Sequence, residues 1–233
     1  MKQAVFVTLV FFSQALASAQ KPSPMNTQVY PPLQQYLQER FAEFDQIPEV
    51  RREELLELAS FIRETQQGGK TPQLTFICTH NSRRSHMAQL WMAAAMAYTE
   101  AGAVQTYSGG TEVTAFNPRA VNAMEKAGFR IKANDSSSNP NYEVRWSDNA
   151  PASLCFSKHY AHESNPQQGF AAVMTCSQAD EACPIVFGAA ARFAIAYDDP
   201  KVADNTPEEA YRYAERCAQI AREMLYVALA VKK

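Results

Sequence analysis

The chain has 233 residues, of which 46% are hydrophobic, and carries 22 Lys and Arg against 24 Asp and Glu. This length fits one domain with an extension or two small domains, and the ordinary apolar content excludes a disordered or fibrous chain. The near-neutral charge argues against a nucleic-acid binder, which needs a clustered basic surface. Five cysteines are too few for a disulfide-rich scaffold, and an odd number cannot all pair within one chain.

The first residues have the three-part pattern of a secretory signal. Lys2 supplies a positive start, residues 4–16 form an almost unbroken apolar run, and Ala17-Ser18-Ala19 provides a small-x-small cleavage site. The run is shorter than the roughly 20 residues that span a bilayer. We therefore expect residues 1–19 to be a signal peptide and the mature chain to be exported, periplasmic or secreted, without a permanent membrane anchor.

Residues 20–70 are predicted to form a helical extension. Apolar residues recur at helical spacing in two groups: Leu33, Tyr36, Leu37, Phe41 and Phe44, then Leu55, Leu58, Ala59 and Ile62. Pro48 marks the junction between the groups, and Gly68-Gly69 ends the second. This pattern predicts a helical hairpin over 31–66.

Strands and helices alternate through the rest of the chain. Strands are predicted over 74–77, 104–108, 170–175 and 193–197, and helices over 85–100, 118–126 and from Thr206. The last helix opens with Thr206-Pro207-Glu208-Glu209, the pattern of a capping box. Such alternation predicts an α/β fold over 71–233, with a parallel sheet of about four strands between two helical layers. Residues 133–169 are polar and weakly patterned, which favours an insertion or long loop.

The first strand runs directly into Cys78-Thr79-His80-Asn81-Ser82-Arg83-Arg84-Ser85, and a helix follows. A loop between a strand and a helix N-terminus directs backbone N–H groups at one point, where a tetrahedral oxyanion fits. Arg84 could bind two oxygens of that anion, and the positive surroundings favour a Cys78 thiolate. Two consecutive arginines at a helix N-terminus are unfavourable unless an anion binds. The competing interpretation is a buried cysteine beside surface arginines.

This Cys-x5-Arg-Ser segment resembles the low-molecular-weight protein tyrosine phosphatases, whose fold the thioredoxin-coupled arsenate reductases share. Residues 107–112 and Asn117-Pro118 are similar to the next strand and helix start of that family, and Asp198-Asp199-Pro200 resembles its late Asp-Pro. The resemblance runs from about Leu74 to the C-terminus, interrupted by the insertion. It implies that Cys78 is the nucleophile and Asp199 the proton donor. It also implies an oxyanion-binding loop made of Thr79, His80, Asn81, Ser82, Arg83, Arg84 and Ser85.

Three positions depart from the family pattern. His80 stands where the family usually has Gly, so some backbone strain is expected there. Arg83 stands where the family usually has a second Cys, and it adds a cation beside the thiolate. Gln89 replaces a Glu that the reductases use in potassium binding, and we expect neither a metal nor a cofactor.

A second cysteine pair, Cys176 and Cys183, follows the third predicted strand. Its spacing and its Cys-Pro ending resemble the resolving pair of the arsenate reductases. If the intervening segment were helical, the two Cα atoms would lie about 10.5 Å apart along the axis. A disulfide needs less than about 7 Å, so the pair can be helical and reduced or looped and oxidised. The resemblance implies a thiol relay from Cys78 through Cys176 to Cys183, with a thioredoxin-like reductant as partner.

Three alternatives to arsenate reduction remain at this level. Cys176 and Cys183 could form a static disulfide, which export favours. The chain could instead hydrolyse phosphotyrosine or small phosphoesters, with Asp199 protonating the leaving group. Lys201 stands where such phosphatases carry aromatic residues, although Trp146 or Tyr160 of the insertion could supply an aromatic wall. A non-catalytic oxyanion or metal binder is the third.

The other cysteines and histidines have simpler interpretations. Cys217 lies on the apolar stripe of the last helix, which predicts a buried core residue. Cys155, His159 and His162 would share one face if helical and could then hold zinc, although an exposed loop with incidental histidines fits the polar surroundings better. His86 is expected to pack or cap.

Overall fold

The computed structural model describes residues 29–182 and 185–233. The predicted signal peptide and Cys183 lie outside the described residues. The helices are α1 (Pro31–Phe41), α2 (Glu49–Gln67), α3 (Arg84–Thr99), α4 (Pro118–Lys126), α5 (Ser177–Ala182) and α6 (Glu209–Val231), with short 3-10 turns at Phe44–Gln46 and Pro200–Ala203. The strands are β1 (Gln73–Cys78), β2 (Gln105–Gly110), β3 (Arg130–Ala133), β4 (Tyr142–Arg145), β5 (Ser153–Cys155), β6 (Phe170–Met174) and β7 (Ala189–Ala194). Within these ranges, no helix is both long and apolar enough to cross a bilayer.

The main sheet has the order β2-β1-β6-β7, and all its strands are parallel. Strand β1 is central, with Cys78 opposite Gly110 of β2 and Ile77 opposite Met174 of β6. The predicted parallel four-stranded sheet between helices is confirmed. Because parallel strands end at the same edge, the residues that follow β1, β6 and β7 meet there.

The two faces of the sheet bury different clusters. Leu74 and Phe76 lie in a large core that includes α3 and α6, whereas Ile77 and Met174 lie in a smaller cluster that includes Ala179 of α5. This alternation along β1 is the two-residue period of a strand covered on both sides. The sheet is therefore the middle of three layers.

Two predicted boundaries were wrong. Strand β7 spans Ala189–Ala194 rather than 193–197, because its ladder pairs with Phe170–Met174 of β6. Helix α6 begins at Glu209, and its N-cap residue Glu208 makes no side-chain capping bond. Thr206 belongs instead to the preceding turn, where its hydroxyl donates to the Ala203 carbonyl. The capping box therefore does not form.

Residues 133–169 were predicted to be an insertion or a long loop, and the structure shows short strands there. Strands β3, β4 and β5 form an antiparallel sheet of their own. These strands are three or four residues long and largely half-exposed, so they leave no clear apolar alternation in the sequence. A single bridge pairs His159 with Gly110 and connects this segment to the end of β2.

The predicted helical hairpin is present and packs on the α/β domain. Helix α1 contacts α6, and α2 contacts α6 and β7. Arg51 of α2 donates to the buried Glu223 carboxylate at 2.9 Å and to the Ala196 carbonyl, and its guanidinium lies 5.0 Å from the Tyr197 ring centroid. The extension thus supports the residues that follow β7.

We predict that the hairpin contributes to the stability of the whole fold. Leu58→Ala should lower the free energy of unfolding by about 2–5 kcal/mol, because the Leu58 side chain is fully buried. Leu56→Ala, in the same helix but 44% exposed, should cost about 1 kcal/mol or less. Urea denaturation of both variants measures this difference, and equal losses would contradict the packing described.

Candidate active site

Cys78 ends β1 and is 2% exposed. Its sulfur lies 3.1 Å from the Ser85 hydroxyl oxygen, and that oxygen accepts a hydrogen bond from the Asn81 amide nitrogen at 2.9 Å. Because Ser85 already accepts from Asn81, its own hydrogen is available to the sulfur. The Ser85 hydroxyl is therefore placed to donate to the Cys78 sulfur.

The loop after Cys78 is held from its outer side. Three of its carbonyls accept hydrogen bonds: Thr79 from the Glu112 N–H at 2.8 Å, His80 from the Ser157 hydroxyl at 2.8 Å, and Ser82 from the Asn117 N–H at 2.9 Å. In a planar trans peptide, the N–H of the next residue points away from the carbonyl. The N–H groups of residues 80, 81 and 83 therefore point away from these partners, which is the arrangement an oxyanion needs.

The left-handed backbone of the loop occurs at Asn81, where φ is 43°. The positive φ thus lies at Asn81 and not at His80, where strain was expected. Asn is among the residues that adopt this conformation most easily. The side-chain oxygen Oδ1 of Asn81 accepts a hydrogen bond from the Lys158 backbone N–H at 2.9 Å. A Cβ at Gly110 would lie 2.7 Å from the Asn81 backbone nitrogen, so only glycine fits beside this turn.

Arg84 connects the loop to the segment after β7. Its guanidinium donates to the Tyr197 carbonyl at 2.9 Å and to Asp199 Oδ2 at 2.7 Å. The Arg84 side chain is buried, and its Nε has no hydrogen-bond partner within the described ranges. This edge of the guanidinium is thus available for an oxygen of a bound anion.

Asp199 caps the 3-10 turn that follows it. Its Oδ1 accepts from the Lys201 N–H at 3.1 Å, while its Oδ2 faces Arg84. The side chain of Asp198, by contrast, is 96% exposed and lies 3.4 Å from Arg216. Of the two neighbouring carboxylates, the structure places Asp199 beside the oxyanion loop.

The Arg83 side chain points away from its neighbour Arg84 and toward α6. Its Nε donates to the Tyr213 hydroxyl at 2.8 Å, and its Nη2 lies 3.5 Å from Asp204. Burial raises the pKa of Tyr213 to about 12, so this hydroxyl is neutral near pH 7.

Cys176 lies beside the same loop as a buried free thiol. Its sulfur is 3.5 Å from the Thr79 hydroxyl and accepts from the Ala179 N–H of α5 at 3.3 Å. Helix α5 begins at the next residue. The structure thus brings Cys176 to the oxyanion loop, while the position of its predicted partner Cys183 lies outside the described residues.

A groove of about 780 Å³ opens beside these groups. Its lining includes Arg84 and Asp199, the α5 residues Ser177 and Gln178, and charged side chains of α6. Tyr197 is the one aromatic residue among the described residues that line it, and Tyr197 is 4% exposed. The groove therefore combines charged, polar and aliphatic surface, and its described lining residues expose no aromatic ring.

The remaining cysteines and histidines do not form a site. The described part of the chain contains no cluster of three or more metal-binding side chains, and Cys155 lies in β5 rather than on a helix with His159 and His162. Burial and the nearby Lys158 hold the pKa of His86 well below its usual value, and the ring stacks on Phe116. His86 is thus a neutral packing residue, as predicted.

Sequence reasoning missed several residues that support the site. Ser157 and Lys158 come from the insertion and bond the loop across 77 positions. Lys158 is itself buried, and burial lowers its pKa. Tyr213 and Asp204 hold Arg83 from the C-terminal part of the chain. Nothing in the local pattern around these residues indicates such contacts.

Comparison with known proteins identifies the family of this chain. The model of the low molecular weight phosphotyrosine protein phosphatase family matches residues 73–148. Arsenate reductase 2 of Staphylococcus epidermidis is 30% identical over 125 residues, which cover 54% of this chain and 76% of that protein. The chain belongs to the low-molecular-weight protein tyrosine phosphatase superfamily. It is an enzyme, and at the level of this superfamily it is an arsenate reductase or a phosphatase.

Two further matches are another arsenate reductase and a solved structure. The arsenate reductase of Bacillus subtilis is 29% identical over 144 residues, covering 60% of this chain and 83% of the relative. A solved structure of a YwlE mutant from Bacillus subtilis superposes with a TM-score of 0.47 and 14% identity, over 70% of this chain and 100% of that one.

We predict that two cysteines of the folded protein, Cys155 and Cys217, resist alkylation. Burial raises the pKa of Cys155 to about 12 and that of Cys217 to about 11. At pH 8 their thiolate fractions are therefore about one in 10,000 and one in 1,000. Mass spectrometry after brief iodoacetamide treatment should find both unmodified, and both should react in denaturant. Equal labelling of Cys155 in the two conditions would contradict its burial.

Proposed function

We propose that this protein reduces arsenate to arsenite through the thiols of Cys78, Cys176 and Cys183. The observation that carries the proposal is the second thiol, Cys176, buried at the edge of the oxyanion loop with its sulfur 3.5 Å from the Thr79 hydroxyl. A phosphatase needs one nucleophilic thiol, whereas a reductase needs others that can reach it. The relatives named above are arsenate reductases, which supports the same chemistry.

In the first step the Cys78 thiolate attacks arsenic while Arg84 and the loop N–H groups bind the other oxygens. An arsenic–oxygen bond breaks, and the departing oxygen leaves as water after accepting a proton from Asp199. The product is a thioester of arsenate on Cys78, with no change yet in oxidation state.

In the second step the Cys176 thiolate attacks the Cys78 sulfur. The sulfur–arsenic bond breaks and its electron pair stays on arsenic, so arsenate is reduced to arsenite while Cys78 and Cys176 become a disulfide. Cys183 then attacks Cys176, which releases the Cys78 thiolate and leaves a Cys176–Cys183 disulfide. A thioredoxin-like dithiol, oxidised in turn, restores both thiols.

The groove favours a small inorganic anion over phosphotyrosine. An aromatic leaving group gains affinity by stacking on exposed rings. The aromatic side chain among the groove residues, Tyr197, is buried, and Lys201 at the position after Asp-Pro is exposed. Of the two residues named for an aromatic wall, Trp146 packs against the main core, whereas Tyr160 packs against the smaller cluster that includes Cys78 and Cys176.

Hydrolysis of phosphoesters is the second candidate, because its parts are also present. Arg84 and Asp199 lie 2.7 Å apart, and Cys78 begins the loop that leads to Arg84. A phosphoenzyme mechanism uses these three groups. Asp199 would protonate the leaving alcohol and then activate the water that releases phosphate. This reaction shares its first step with arsenate reduction and needs neither Cys176 nor Cys183.

The proposal includes export through residues 1–19, and export sets a condition on the relay. An oxidising compartment converts dithiols to disulfides. The reductant must therefore be an exported thioredoxin-like protein, since Cys176 and Cys183 would otherwise rest as a disulfide and leave phosphoester hydrolysis as the remaining activity.

We predict that Cys176→Ser separates the two activities. Arsenate-dependent oxidation of reduced thioredoxin should fall at least about 100-fold, because the attacking sulfur of the second step is lost. Hydrolysis of para-nitrophenyl phosphate should stay within about 3-fold of wild type, since that reaction does not use Cys176. Both rates are measured on the same mature enzyme.

Two variants complete this test. Cys217→Ser, at a buried cysteine of α6 outside the site, should leave both activities in place. Cys78→Ser should abolish both, and an oxyanion-dependent function that survives this change would identify a non-catalytic binder. Equal loss of both activities in Cys176→Ser, or no arsenate-dependent consumption of thioredoxin by wild type, would reject the reductase.

A further inference from the structure

Arg83 has an unusual environment for the residue before a catalytic arginine. It is 8% exposed, and its guanidinium is fixed by the Tyr213 hydroxyl and Asp204. The Tyr213 hydroxyl in turn donates to Asp204 Oδ1 at 2.8 Å. Arg83 is therefore held in one orientation by α6 and by the segment that follows Asp199.

The two oxygens of Asp199 have different neighbours. Oδ2 lies 2.7 Å from Arg84 Nη2. Oδ1 accepts from the Lys201 N–H at 3.1 Å and lies 3.9 Å from Arg83 Nε. Arg83 and Arg84 thus approach Asp199 from its two separate oxygens.

This asymmetry matters when an oxyanion binds. In the proposed reaction Asp199 carries a proton to the leaving oxygen. Because Oδ1 accepts from the Lys201 N–H and faces Arg83, Oδ2 is the oxygen assigned to carry that proton. A general acid must present its proton within hydrogen-bond reach of the leaving oxygen, so the orientation of this carboxyl group decides the rate.

We infer that Arg83 is a positioning residue for the general acid: its charge, 3.9 Å from Oδ1, favours the orientation in which Oδ1 faces Lys201 and Arg83 and Oδ2 carries the proton to the leaving group. The inference rests on the proposed function, in which Asp199 donates that proton. For a phosphate ester, the Cys78 thiolate attacks phosphorus, the ester phosphorus–oxygen bond breaks, and the leaving oxygen takes the Oδ2 proton to give an alcohol and a Cys78 phosphoenzyme.

The test compares two esters with different needs for a proton. Phenyl phosphate releases a basic phenolate that requires protonation, whereas 2,4-dinitrophenyl phosphate releases a stable anion that does not. Arg83→Gln should lower kcat/KM, which reports only the steps up to formation of the phosphoenzyme, at least about 10-fold on phenyl phosphate and less than about 3-fold on the dinitrophenyl ester. Asp199→Asn should show the same pattern with a larger loss, and Arg83→Lys should regain part of the rate.

Arg119→Gln is the matched control. Arg119 Nε lies 3.8 Å from Asp204 and 2.7 Å from Glu209, so it belongs to the same charged cluster without approaching Asp199 within salt-bridge distance. Its substitution should leave the ratio of the two rates unchanged. Thermal unfolding of all variants shows whether each remains folded at the assay temperature.

The outcomes separate the inference from the proposed function. Equal losses on the two esters in a folded Arg83→Gln enzyme would assign Arg83 to anion binding or to structure and would overturn the inference. A wild-type enzyme that turns over neither ester would reject phosphoester hydrolysis. Equal rates of arsenate-dependent thioredoxin oxidation in wild type and Arg83→Gln would then overturn the inference.

Discussion

The geometry of the site depends on how the buried guanidinium of Arg84 is paired. Arg84 is almost inaccessible to solvent, and a buried charge is costly unless it is paired and hydrogen-bonded. Its partners, the Tyr197 carbonyl and Asp199, come from the segment that follows the edge strand β7. Pairing them with Arg84 fixes where the chain must pass after β7, and so it places the general acid of the proposed reaction beside the oxyanion loop.

The helical extension acts on the same place from outside the superfamily fold. Arg51 of α2 is bonded to Glu223 and to the Ala196 carbonyl, and it lies over the ring of Tyr197. Tyr197 therefore has one arginine at its ring and another at its carbonyl. Tyr197 is thus one contact through which the extension reaches the segment that pairs with Arg84.

The family motif and most of the fold were predictable because they depend on local pattern. Short apolar runs located the strands, and apolar residues at helical spacing located the helices. The segment from Cys78 to Ser85 has its chemical groups in consecutive residues. The short half-exposed strands of the insertion were missed, since three or four residues with mixed burial give no usable period.

The sequence by itself identified the family, and through that resemblance it predicted Cys78 as the nucleophile and Arg84 as the oxyanion-binding arginine. Only the tertiary structure decided that Ser157 and Lys158 support the oxyanion loop across 77 positions and that Arg83 turns toward Tyr213. The physical reason is that these are hydrogen bonds between polar side chains and distant backbone or side-chain groups. Apolar burial repeats along the chain and can be read from it, whereas such long-range bonds follow from where the packed elements happen to bring each group.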